Sequence, residues 1–144
     1  MSALSEKVRV ALYSAMNVSN VTSLATGGIH HLLAPETATM PYVIFNRQAA
    51  DPVVRAFKDA LIAESDVWLI KAISDENSST TKEPQQLNEE ILNAVETAIG
   101  NSLTLSGGSE VWSVEREQDI PEYMEVRVDR AIYYNGFLLR IWSH

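Results

Sequence analysis

The stretch VRVDRAIYYNGFLLRIW, Val126 to Trp142, holds two apolar runs rich in β-formers on either side of Asn135-Gly136. An Asn-Gly pair accepts the positive φ that both central positions of a type I′ turn require, so the spacing predicts a hairpin. A two-residue loop also sets the register. Tyr134 would face Phe137, Ile132 would face Leu139 and Arg130 would face Ile141, grouping Ile132, Tyr134, Phe137, Leu139 and Ile141 on one apolar surface. The opposite surface would carry Asp129, Ala131, Tyr133, Leu138, Arg140 and Trp142, a mixed face suited to a partner. Arg130, placed on the apolar side, must be turned out by a bulge or paired with a carboxylate across the sheet or in a neighbouring subunit.

Upstream, Val111 to Glu117 reads as a strand after the Gly107-Gly108 turn, with Trp112 and Val114 on one face. Gln118 to Glu125 reads as a loop because it contains Asp119-Ile120-Pro121. Its acidic residues, Glu115, Glu117, Asp119, Glu122 and Glu125, are ordinary exposed chemistry or a match for basic groups of a neighbouring subunit. Asp66 to Ile73 has apolar residues on both faces, Trp68, Ile70 and Ala72 against Val67, Leu69 and Ile73, as a central or interfacial strand does. Tyr42 to Arg47 is a strand beginning directly after Pro41, and Ile29 to Leu33 a short one stopped by Pro35. Between them and Asp66, the segment Asp51 to Ser65 has two readings. Val53, Val54, Phe57, Leu61 and Ile62 form a face of a short helix, or they extend the flanking strands into a long arm. The favoured expectation is a partly exposed helical or irregular excursion that projects from the domain.

Two amphipathic helices complete the pattern. Leu4, Val8, Ala11, Leu12 and Ala15 recur at helical spacing over Ala3 to Met16. Leu87, Ile91, Ala94, Val95 and Ala98 do so up to Ile99, with Gly100 as the stop. Thr80 stands three residues before Glu83, a capping-box spacing, with Pro84 in the first turn. Strands grouped in hairpins, with two helices to cover one face, predict a single α+β domain over residues 1–144. Its architecture is a two-layer sandwich, a mainly antiparallel sheet with both helices on one side. The second face is left for a partner.

Composition narrows the function classes. At 144 residues and 46% hydrophobic, the chain is long enough for one core, and a net charge of -8 argues against a general binder of nucleic acid or anionic membranes. There is no cysteine, hence no disulfide, thiolate metal site or cysteine nucleophile. The N-terminus lacks a signal-peptide pattern, and no apolar run reaches membrane-spanning length. Synthesis and retention in the cytoplasm is the matching expectation. His30-His31 point to opposite faces of a strand and read as structural rather than metal-binding. Glu89, Glu90 and Glu96 lie on the polar side of their helix, and the two Gly-Gly pairs are turns rather than phosphate cradles. Neither a catalytic residue nor a cofactor is expected.

One set of residues suggests a family. Gly28-Ile29, Ala34-Pro35 and Met40-Pro41-Tyr42-Val43-Ile44-Phe45 resemble the small tail-completion proteins of long-tailed bacteriophages, also called tail terminators or head-to-tail joining proteins. The likeness extends through the leading helix, the strand Trp68 to Ile73, the Ser-rich loop into the helix Leu87 to Ile99, and the aromatic C-terminal segment. His30-His31 depart from the pattern and leave the register of the first strand open. The resemblance implies a homohexameric ring at the head-proximal end of the virion tail. Such a ring caps the tail tube protein, ends tube polymerisation and docks the head-side connector or stopper protein, while DNA passes through without specific binding. A ring needs two different contact surfaces per subunit. The candidates are Val53, Phe57 and Leu61 in the 51–65 segment, and Tyr133, Leu138 and Trp142 on the sheet, with Trp142 as the anchor. The alternative from the residues alone is a small cytoplasmic α+β binding or regulatory module that dimerises through its sheet.

Overall fold

The computed structural model describes residues 3–55 and 61–144. Helix α1 is Ala3–Met16 and is followed by a single turn, α2, at Ser19–Thr22. Strand β1 is Ile29–His31, β2 Tyr42–Arg55 and β3 Leu61–Asp75; helix α3 is Pro84–Ile99, and strands β4 Val111–Val126 and β5 Ala131–Ser143 close the chain. The sheet order is β1-β2-β3-β5-β4. Among the described residues, only the β1–β2 pair is parallel; the other three are antiparallel. This is the expected α+β class, a mixed and mainly antiparallel open sheet. The helices share one core with one of its faces.

That core is built by the predicted periodicities. Val8, Leu12 and Met16 of α1 and Leu87, Ile91, Val95 and Ile99 of α3 meet Val43 and Phe45 of β2, Trp68, Ile70 and Ala72 of β3, and Phe137, Leu139 and Ile141 of β5. Trp68, Phe45 and Phe137 are fully buried. Each such side chain contributes about 1.5–3 kcal/mol through the apolar area it removes from water. β3 lies at the centre of the sheet, as its two apolar faces require, and the alternation Trp68, Ile70, Ala72 toward the helices is the expected one.

The C-terminal hairpin is not where the Asn-Gly pair puts it. Residues 131–143 form one uninterrupted strand, with Asn135 opposite Ala72 and Gly136 opposite both Lys71 of β3 and Ile120 of β4. Gly136 is there because neighbouring backbone comes close. A Cβ at this position would lie 2.7 Å from the Ile70 carbonyl oxygen and 3.0 Å from Lys71 Cγ. Asn135 is there because its amide is used, as described below. The chain actually reverses at Arg127 to Arg130, where the Arg127 amide donates to the Arg130 carbonyl at 2.8 Å and Val126 pairs with Ala131. Val128 and Asp129, at the tip, turn without a positive φ. The cross-strand pairs expected from the Asn-Gly turn are therefore absent. Ile132 and Tyr134 fall on the face opposite Phe137, Leu139 and Ile141, because a continuous strand alternates without the reversal.

Three further expectations change. Gln118 to Glu125 is not a loop but the middle of β4, which carries register shifts at Val111/Ser113, Arg116/Gln118 and Ile120/Tyr123. Pro121 sits in the last of these, at a sheet edge, where its missing N–H costs no ladder bond. The 51–65 segment, as far as it is described, continues the two strands instead of forming a helix. Asp51 pairs with Ser65, Pro52 with Glu64, Val54 with Ala63 and Arg55 with Leu61. Helix α3 begins with Glu83 as its N-cap, extended and without a side-chain cap bond, so the Thr80-to-Glu83 capping box does not form. Ser79 Oγ instead accepts the Thr81 and Lys82 amides in the preceding turn, at 3.2 and 3.1 Å. Gly100 ends the helix at φ +64° with its amide on the Glu96 carbonyl.

Candidate assembly surface

With the helices committed to the Trp68 face, the other face of the sheet carries Tyr42, Ile44 and Asn46 of β2, Val67, Leu69, Lys71 and Ile73 of β3, and Ile132, Tyr134, Leu138, Arg140 and Trp142 of β5, by strand alternation. Its centre is apolar: Leu69 and Leu138 stand directly opposite each other. Ile44, Leu69, Leu138 and Trp142 are half-buried, whereas Val67, Ile73 and Ile132 are shut in by their neighbours.

Polar groups frame this strip. At one end Tyr123 and Tyr134 stack nearly parallel with centroids 4.5 Å apart, and Lys71 Nζ stands 6.0 and 5.8 Å from the two rings. The Tyr134 hydroxyl donates to Glu125 at 2.9 Å. Burial, with that carboxylate adding to it, pushes the phenol up to about 12, so Tyr134 stays neutral and keeps donating. Arg130 pairs with Asp75 at 3.1 Å across the sheet, which resolves the question its sequence position raised: it lies near Asp75, not opposite Ile141. At the other end Arg140 reaches Glu117 at 2.8 Å and also donates to Ser65 Oγ.

Glu117, Asp119, Glu122 and Glu125 of β4 thus have partners within the chain. Arg116 is held by Glu96 and Asp119 and lies over the Phe137 ring, 4.6 Å from its centroid, on the helix side of the sheet. Glu125 pairs with Arg127 as well as Tyr134. These ion pairs are largely solvent-facing and contribute little individually.

The second element of the surface is the continuation of β2 and β3. β5 ends its pairing at Ser143 opposite Glu64, so the pairs Val54 with Ala63 and Arg55 with Leu61 continue past the end of β5. A polar layer lies at the base of this extension. Asp66, fully buried, accepts a bond from Ser5 Oγ of α1 at 2.8 Å, and Ser5 Oγ in turn receives Arg47 NH1 at 3.0 Å. Glu64 is buried two residues away on the same face of β3. Burial is the main cause that raises the Asp66 carboxyl above the usual range, more than Ser5 and Arg47 lower it. This layer ties the start of α1 to the point where the strands leave the sheet.

The predicted contact residues do not form one patch. Leu138 and Trp142 are on the open face, but Tyr133 is on the helix side, in a small cleft with Gln85, Glu122 and Met124. The hairpin register had put Tyr133 with them; the continuous strand separates it. Val53 and Leu61 lie in the paired extension, with Val53 passed over by the register shift between Pro52 and Val54. Phe57 lies outside the described residues. Of the three tryptophans, Trp68 is core and Trp142 half-buried, while Trp112 is 52% exposed on the edge strand and packs on the His144 ring at 4.6 Å. Lys71 and Tyr123 belong to the open face without having been singled out. Tyr123 was hidden by reading its segment as a loop. The histidines are structural contacts: His30 Nε2 lies 2.8 Å from the Gly27 carbonyl, and His31 packs on Phe45 and Trp68, where burial lowers its proton affinity.

No family model matches the sequence, and no curated protein matches it. The fold is nevertheless shared. A chain of the structure described as the virion of a native gene transfer agent (GTA) particle superposes with a TM-score of 0.68 over 99% of both chains, at 14% identity.

Proposed function

We propose that this chain is a structural virion protein of a phage-like particle. In this reading it forms a ring that caps the tail tube, ends tube polymerisation and joins the tail to the head-side connector. The observation that carries the proposal is the end-to-end likeness to a chain of a gene transfer agent virion, covering 99% of each chain. The order of sequence features shared with tail-completion proteins supports the finer role. A ring subunit needs two unlike contact surfaces. The apolar strip around Leu69 and Leu138 and the paired extension of β2 and β3 are suitable for that purpose.

Light scattering over a range of concentration, with negative-stain images, tests the reading. Six-fold rings, alone or on added tail tubes, are the expected result. Leu138→Glu should abolish them while leaving the folded monomer intact, since Leu138 lies outside the helix-covered core. A protein that stays monomeric and does not bind tail tubes would overturn the proposal. A dimer at every concentration would favour the sheet-dimerising module instead.

A further inference from the structure

Asn135-Gly136 is the pair most prone to succinimide chemistry, because glycine leaves its own amide nitrogen unhindered. In a hairpin tip the pair would be reactive in the native protein. Here it lies inside β5, laddered to β3 on one side and β4 on the other. The Asn135 side chain is buried, its Oδ1 accepting from Asn88 Nδ2 at 3.0 Å and its Nδ2 directed at Glu122 and Glu89 at 3.3 and 3.5 Å.

We infer that Asn135 is a deamidation site that folding closes, so that only chains left unfolded are modified, and modified chains do not regain the native sheet. In the reaction the Gly136 backbone nitrogen attacks Asn135 Cγ. The N–Cγ bond forms, the Cγ–Nδ2 bond breaks, and ammonia leaves with the amide proton. Water then opens the cyclic imide to aspartate or isoaspartate. Ring closure needs the Asn135 backbone to leave its extended conformation and the Gly136 amide to leave the ladder. Both are forbidden while β5 is in place. Each product conflicts with the native site. An aspartate would set a third carboxylate against Glu89 and Glu122, which now accept from the Asn135 amide. An isoaspartate lengthens the backbone by a methylene between two paired strands and shifts both registers.

The test uses the unmodified chain. Samples are held folded in buffer or unfolded in guanidinium at the same mildly alkaline pH and temperature, then digested, and the peptide containing Asn135 is followed by mass and by separation of its isoaspartyl form. Because opening a central strand approaches global unfolding, conversion in the folded sample should be at least about a hundredfold slower. Comparable rates in the two samples would overturn the inference. The aged unfolded sample is then refolded by dilution and divided into native and non-native fractions by size. Modified chains should concentrate in the non-native fraction; an even distribution would refute the second half of the inference.

Discussion

Val128-Asp129 and Asn135-Gly136 are near neighbours in the sequence, yet the pair without a turn signature reverses the chain and the pair with the strongest one runs straight through the sheet. The difference lies in what surrounds them. Val128 is fully exposed at the tip, where nothing but the local backbone decides. Asn135 and Gly136 are flanked by strands on both sides, with Asn88 above them. A turn preference is worth about a kilocalorie per mole, and two complete ladders plus a buried amide network outweigh it.

The largest expected effect comes from giving Gly136 a side chain. Gly136→Ala places a Cβ 2.7 Å from the Ile70 carbonyl oxygen, so β3 and β5 must separate. A loss of about 3 kcal/mol in urea unfolding is expected, from overpacking at a site where backbone must move. A neutral result would mean that the pair turns after all. Next is Asn88→Ala, which removes the donor to the Tyr133 carbonyl and Asn135 Oδ1 inside the protein. It should cost about 2 kcal/mol, the penalty of buried acceptors left unsatisfied.

A smaller effect tests the neighbouring central strand. Burial raises the folded Asp66 carboxyl above the usual carboxylate range. The folded state therefore holds this proton longer than the unfolded chain. Asp66 contributes most favourably below the unfolded value, and that contribution is lost as pH rises through the folded one. Asp66→Asn should flatten this part of the stability profile, read as the difference between wild-type and variant urea midpoints across acidic pH. An unchanged difference would remove Asp66 as the cause. The smallest effect is moving the turn signature to the turn itself. Val128→Asn with Asp129→Gly should leave the fold unchanged and raise stability by up to about 0.5–1 kcal/mol, because a type I′ loop matches the strand twist better. A shifted register, visible as altered protection of β5 amides in hydrogen exchange, would show that the local signal had won.

How much was legible follows the same division. Both long helices were readable from apolar periodicity, since burying one face is the same demand in sequence and in space. The two-faced character of Val67 to Ile73 pointed to a central or interfacial strand, and the strand is central. The 51–65 segment was not readable because its apolar residues satisfy two periods. For Asp51 to Arg55 and Leu61 to Ser65, pairing between β2 and β3 selected the extended one. Pro121 concealed the length of β4, since a proline at an edge bulge looks in sequence like a proline in a loop. The surface group Tyr133, Leu138 and Trp142 inherited the hairpin's error, as one misplaced turn reverses the face of every residue on one side of it.

The sequence by itself determined an α+β domain with two amphipathic helices, the core stripe of each and the buried face of the central strand, because these rest on repeated patterns that many residues share. Tertiary structure alone decided where the last strand begins and turns, that Asn135-Gly136 is paired on both sides, and which aromatic residues share the open face. Those outcomes depend on single residues whose local preferences are worth less than the ladders and packing contributed by distant segments.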